Sequence, residues 1–183
     1  MARSNARATP ADMIRSLAVI LIPLVIITVL FTDLPKDAKV SEVDWTPVLT
    51  TAREEAPFPV LAPTNLPDGW RATRVSWVNE GEPVLNGDPS VRNQWQLGFL
   101  SPDDVYLGLV QGDLRPDDLV DEETRAGTPD GESTVSGQVW QRLVSSDGRT
   151  RSLVLREAQV TTIVSGDVDY AALEAYASTL SSR

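Results

Sequence analysis

The sequence contains no cysteine and no histidine, and aromatic residues make up only 6% of it. Without cysteine there is no disulfide, no thiolate nucleophile and no thiol to carry a lipid anchor. Without histidine, Ser-His-Asp and Cys-His catalysis are excluded, and most zinc sites with them. Carboxylates, Lys/Arg, Tyr and Ser/Thr remain as reactive groups, and none of them falls into a recognisable catalytic motif. The chain therefore reads as a non-enzyme with no catalytic residue, no cofactor and no metal site to assign. Basic charge is scarce as well: 16 Lys/Arg against 26 Asp/Glu give a formal charge of −10. Such a balance disfavours nucleic acid and repels anionic lipid headgroups.

What the chain does have is one long apolar run, Met13 to Phe31, MIRSLAVILIPLVIITVLF. From Leu17 to Phe31 it carries no charge. Nineteen helical residues rise about 29 Å, close to the ~30 Å hydrocarbon core of a bilayer. Arg3, Arg7 and Arg15 precede or open the run against Asp12, whereas Asp33, Lys36, Asp37, Lys39, Glu42 and Asp44 follow it. That bias places the N-terminus in the cytoplasm and the remainder outside. Arg15 can extend its stem back to the headgroups, and Pro23 is tolerated as a kink. A cleaved signal peptide shares the basic start, but cleavage wants small residues where FTDLPKDAKV has Leu34 and Lys36. An uncleaved signal-anchor is the expectation. Setting aside Asp12 and the three arginines leaves 25 acids and 13 bases, a charge of −12 on the outer part.

The expected organisation is a cytoplasmic tail (1–12), a transmembrane signal-anchor helix (13–32), a polar spacer (33–45) and an extracytoplasmic α+β domain (46–183). In that domain Thr46 and Pro47 open a helix to about Glu55, with Val48, Leu49, Ala52 and Ala56 on one stripe. Pro57, Pro59, Pro63 and Pro67 force an extended segment, which Phe58, Val60 and Leu61 suit to packing along the domain. Alternation predicts strands around Thr73–Trp77, Trp95–Phe99 and Val105–Leu109. Between the first two, residues 79–90 form a loop longer than most hairpin connections. Pro116 to Arg125 reads as a short acidic helix, and Gly127 to Gly131 as a loop. A second set of strands runs through Thr134–Val135, Gln138–Val144, Ser152–Glu157 and Gln159–Ser165, with a hairpin at Asp147-Gly148. A helix from Val168 to about Leu180, capped by Asp167, closes the order, with Leu173, Tyr176, Ala177 and Leu180 on its core face. The fold class is α+β: an antiparallel sheet covered by helices, after a single N-terminal transmembrane helix.

The run PFPVLAPTNLPDGWRATRVSW (57–77) is the most distinctive in the chain. With the apolar run before it, the strand QWQLGF, the segment STVSGQVWQRLV (133–144) and the final VSGDVDYAALEAYASTL (164–180), it resembles a known family. This is the set of actinobacterial membrane proteins that carry the domain of unknown function numbered 4245. The resemblance covers nearly the whole chain. It implies one N-terminal membrane helix and an outer α+β domain, and it supplies no activity and no catalytic residue. The recurrent Pro-rich lead-in, Gly-Trp turn and Gly-x-x-Trp strand look like determinants of the fold.

The remaining constellations have ordinary readings beside the functional ones. Four acidic clusters, Asp103/Asp104, Asp113 with Asp117/Asp118, Asp121/Glu122/Glu123 and Asp167/Asp169, lack the spacing of a calcium loop and sit at turns and helix starts, where Asp is favoured anyway. A glycosidase pair would need a cleft rich in aromatics, and this chain has few. Trp45 is either an interfacial anchor or a staple between the first helix and its domain. Arg142, Arg149, Arg151 and Arg156 give the second set of strands a local positive face, the expected contact for an anionic partner. Two functions follow from these features. One is a non-enzymatic binding or scaffolding component of the cell envelope, held to the bilayer through residues 13–32 and contacting another envelope protein. The other is a module for a small ligand or lipid, with an apolar pocket between sheet and helix.

Overall fold

The structure is a computed structural model that describes residues 10–31, 42–84 and 87–183, with side chains in the first stretch described over 14–25. Most of the expected tail and spacer thus lie outside the described residues. Two compact units emerge, Met1–Val40 and Ser41–Arg183. In the first, helix α1 spans Pro10–Phe31 and holds Pro23 in its interior. Ile14, Leu17, Val19, Ile20, Leu21, Ile22, Leu24 and Val25 are all exposed large apolar residues, on every side of the helix. Among the described residues no helix is long and apolar enough to cross a membrane.

The second unit begins with α2, Thr46–Glu55. Thr46 is not its cap: Trp45 holds the N-cap position without a side-chain bond, and Asp44 Oδ1 accepts the Thr46 N–H at 3.0 Å. The Pro-rich strap follows, with a two-residue strand β1 at Ala62–Pro63. Then come β2 (Arg71–Val78), β3 (Gln94–Leu100), β4 (Tyr106–Gly112), α3 (Pro116–Thr124), β5 (Thr128–Val135), β6 (Gln138–Val144), β7 (Arg151–Arg156) and β8 (Thr161–Gly166). Helix α4 (Tyr170–Ser178) and a second two-residue strand, β9 (Leu180–Ser181), complete the order. The two expected sets of strands form one seven-stranded antiparallel sheet in the order β2-β3-β4-β8-β7-β6-β5. The join is β4 against β8, with Leu109 opposite Val164.

Both faces of the sheet are covered, which alternation along single strands does not reveal. On one face, Trp95, Leu97, Phe99, Leu107, Leu109, Leu153 and Val164 pack with Leu49 and Ala52 of α2, with Phe58, Val60 and Ala62 of the strap, and with Leu173, Tyr176 and Ala177 of α4. On the other, Val110, Leu143, Val154 and Ile163 meet Leu119 and Val120 of α3. Central strands therefore read as continuous buried runs: in β4 all but Tyr106 are buried. Ahead of its short pairing with β9, the strap is bound by side chains, because its prolines lack N–H groups. Gln111 Oε1 accepts the Leu61 N–H at 2.7 Å, and Trp95 Nε1 donates to the Leu61 carbonyl at 2.9 Å.

Three local expectations shift. The Gly127–Gly131 loop belongs mostly to β5, whose register against β6 is broken between Pro129 and Glu132. Such a break is what a Pro and a Gly impose on a strand. Asp169 rather than Asp167 caps α4, accepting the Ala172 N–H at 2.9 Å. Leu180 leaves the helix and pairs with Pro63 instead. The 79–90 loop is hydrogen-bonded to itself, with Gly81 N–H to the Ser90 carbonyl and Ser90 N–H to the Glu82 carbonyl.

Candidate functional site

The four arginines singled out by sequence do not share a face. Arg142 turns toward α4, where its Nε donates to Ser133 Oγ at 2.6 Å and its Nη2 to Glu174 Oε1 at 2.7 Å. Its guanidinium lies 4.7 Å from the centroid of the Tyr170 ring, and that of Arg151 lies 5.8 Å away. The Ser133 hydroxyl and Arg142 hold the Glu174 carboxyl below its ordinary pKa. Burial and the neighbouring Asp130 carboxylate push the Tyr170 hydroxyl up to about 12. Together these groups dock α4 on the sheet. Arg156 faces the other way and pairs with Asp117 of α3 at 2.9 Å. Arg149 stays exposed on the β6–β7 hairpin, 3.8 Å from Asp167. Strand alternation explains the split, because positions 151 and 156 differ by an odd number and face opposite layers. Trp45 packs edge-on against Phe99 at 6.0 Å, the stapling geometry, and Arg15 is exposed on α1.

The acidic clusters are spread over turns and helix starts. Asp104 pairs with Arg71 at 2.6 Å, and Asp113 receives the backbone and side-chain N–H groups of Asn93. Among the described residues no group of three or more His, Cys, Asp or Glu is placed to hold a metal ion.

The structure instead builds a polar cleft of about 500 Å³ beside α3, on the face that α3 covers only in part. Its floor is made of small residues. Gly98 on β3 lies directly opposite Gly108 on β4. The ring of Tyr106 straddles this pair: a Cβ built on Gly98 would come within 2.7 Å of Tyr106 Cζ, and one on Gly108 within 3.2 Å of Cε1. Two missing side chains thus make room for the hydroxyl end of the Tyr106 ring against the sheet. Tyr106 remains 41% exposed and lines the cleft.

Helix α3 forms one wall through Glu122 and Glu123, and Gln96 Nε2 donates to Glu123 Oε1 at 3.4 Å. Burial raises the Glu123 carboxyl above its ordinary pKa, and the Arg74 guanidinium partly offsets this. Burial likewise raises the Tyr106 hydroxyl, again opposed by Arg74. The other acids at the rim are each matched by an arginine outside the cleft: Asp104 by Arg71, Glu122 by Arg92 at 3.5 Å, and Asp167 by Arg149. Charge in the cleft is therefore mixed and nearly balanced. Alternation along β3 puts Gly98 on the face opposite Trp95, Leu97 and Phe99. The available signal was the pair of strand-interior glycines, each of which marks a close approach.

A second cleft, about 440 Å³ and mostly apolar, lies between α4, the strap and the β3–β4 turn. Leu66, Trp70, Leu107, Val168, Ala172 and Tyr176 line it, and Trp70 stacks on Tyr176 at 6.2 Å with an interplanar angle of 10°.

Comparison with curated proteins finds no match. The sequence profile of a family described as "Protein of unknown function (DUF4245)" matches residues 6–180, nearly the whole chain, and the chain belongs to that family.

Proposed function

We propose that this protein is a single-pass membrane protein of the cell envelope, with its N-terminus in the cytoplasm and its α+β domain outside, and that the domain binds another envelope component without catalysing a reaction. The observation that carries the anchoring half is the apolar circumference of α1, where Ile14, Leu17, Val19, Ile20 and Ile22 are more than half exposed. A helix apolar all round has no polar face for water and calls for an apolar solvent. The uncharged sequence continues to Phe31, and the basic residues lie on its N-terminal side. The binding half is supported by what the polar cleft holds. Glu123 bonds to the Gln96 amide rather than to a hydroxyl it could activate. In-cell crosslinking of the full chain, followed by an alkaline wash of the membranes, tests both halves. The chain is expected to stay in the washed membrane with one reproducible protein crosslinked to residues 42–183. Release by the wash would overturn the anchoring, and a crosslink to nothing but lipid would overturn the protein partner.

The apolar cleft favours a second reading, a module that holds a lipid chain or small apolar ligand. Its volume falls within the ~300–1,000 Å³ usual for ligand pockets. On this reading, full chain extracted in detergent is expected to carry a stoichiometric apolar molecule in native mass spectrometry, lost on Ala172→Trp. Bare protein in every preparation would remove the reading.

A further inference from the structure

We propose that the polar cleft beside α3 is a carbohydrate site, in which the exposed ring of Tyr106 stacks against a neutral pyranose ring. The first observation is an aromatic side chain that lines the cleft, 41% exposed, with the hydroxyl end of its ring over the Gly98–Gly108 pair. Such a platform offers one apolar face about the size of a single sugar ring, and its hydroxyl keeps a polar edge. The second is the set of groups around that platform. Gln96, Glu123 and Arg74 present amide, carboxyl and guanidinium groups, while Ser165 adds a hydroxyl. These planar, directional donors and acceptors are suited to the hydroxyls on the edge of a ring.

Charge then removes the competing ligands. An anion would meet Glu122, Glu123, Asp104 and Asp167, all lining the cleft. An organic cation attracted to the Tyr106 face would meet Arg74 and Arg125 on the same cleft walls. A balanced cleft with an exposed aromatic ring selects a ligand that is neutral, rich in hydroxyls and apolar on one face. The volume of about 500 Å³ accommodates one or two pyranose units.

The inference belongs to the binding reading above but does not depend on where the chain resides. Its test is calorimetric titration of the full chain in an amine-oxide detergent, which carries no sugar headgroup to compete. The probes are chitobiose, cellobiose and maltose, with choline and sulfate as charged controls. At least one disaccharide is expected to bind with a Kd of about 1 mM or tighter. Tyr106→Ala should weaken that binding about tenfold, while Tyr106→Phe, which keeps the ring, should stay within about twofold. Gln96→Ala provides a second lesion on the neighbouring strand, should the first variant fail to fold, and should weaken binding about fivefold. Absence of heat with all three disaccharides would overturn the proposal. So would binding that the folded Tyr106→Ala variant, or Gln96→Ala in its place, leaves unchanged, or a response to choline or sulfate alone. None of these failures bears on membrane retention or on a protein crosslink, which are read separately.

Discussion

Leu119→Ala is expected to destabilise the α+β domain by about 3 kcal/mol, within the usual 2–5 kcal/mol for a buried Leu→Ala change. Leu119 is fully buried in a cluster of only six residues, so little else replaces its contacts. It presses on the floor of the sheet, where a Cβ built on Gly112 would lie 2.9 Å from Leu119 Cδ2. The helix it anchors is nine residues long and has no side-chain cap at its N-terminus. Helices that short are not stable alone in water, so tertiary anchoring decides whether α3 forms. Its N-cap and C-cap residues, Arg115 and Arg125, both adopt left-handed backbone, which disfavours the helix ends further. Urea unfolding followed by circular dichroism measures the loss. Val139→Ala, on an apolar side chain 58% exposed, is the matched control and should shift stability by no more than about 0.5 kcal/mol. Equal shifts for the two variants would show that α3 is not held through Leu119. Because α3 carries Glu122 and Glu123 into the polar cleft, the same change should also raise amide exchange along residues 116–124.

Gln111→Leu should cost about 2–3 kcal/mol, although it places an apolar residue in an apolar surrounding. Gln111 is 1% exposed, and its amide serves three partners: the Leu61 N–H at 2.7 Å, the Pro59 carbonyl at 3.3 Å and the Thr162 hydroxyl at 3.2 Å. Leucine would leave the strap's donor and acceptor buried without partners, and that penalty exceeds the gain from added apolar contact. Trp95 Nε1 holds the same strap through the Leu61 carbonyl. Trp95→Phe should therefore be non-additive with Gln111→Leu, since whichever comes first frees the segment that both secure. Strict additivity in the double mutant, by the same urea titration, would mean that the strap is fixed elsewhere.

The sequence made β2, β3, β4, β7 and β8 legible through apolar residues at every second position, and β6 through the turns on either side of it, although burial of both sheet faces gave no such period. The three helices of the domain were legible from apolar spacing and from Pro47 and Pro116 in their first turns, but not from their caps: neither Thr46 nor Asp167 caps its helix, and α4 starts at Tyr170 and ends at Ser178. The joining of two strand sets into one sheet was not, because Leu109 and Val164 announce their pairing by no local signal. Arg142 looked free in sequence because its carboxylate partner, Glu174, lies thirty-two residues further on. β5 was read as a loop at its start because Pro129 and Gly131 are turn residues, yet a break in register lets the strand absorb them. The polar cleft had no motif at all. It arises where β3 and β4 place two glycines side by side and α3 stops short, and only the fold brings these together.

The pairing of β1 with β9 has a consequence for the order in which the chain can fold. Ala62 lies against Ser181 and Pro63 against Leu180, and the Thr64 N–H reaches the Thr179 carbonyl at 2.9 Å. Arg53 of α2 also donates to the Ser181 carbonyl, at 3.4 Å. These are among the most distant contacts in the domain, and closing so long a loop pays its entropy before any contact rewards it. A chain that emerges N-terminus first makes its strap long before residues 179–181 exist. Through that interval the strap lacks its last partner, and its prolines keep it from settling as a helix. The pairing of the strap with β9 is therefore made last, once residues 179–181 have arrived.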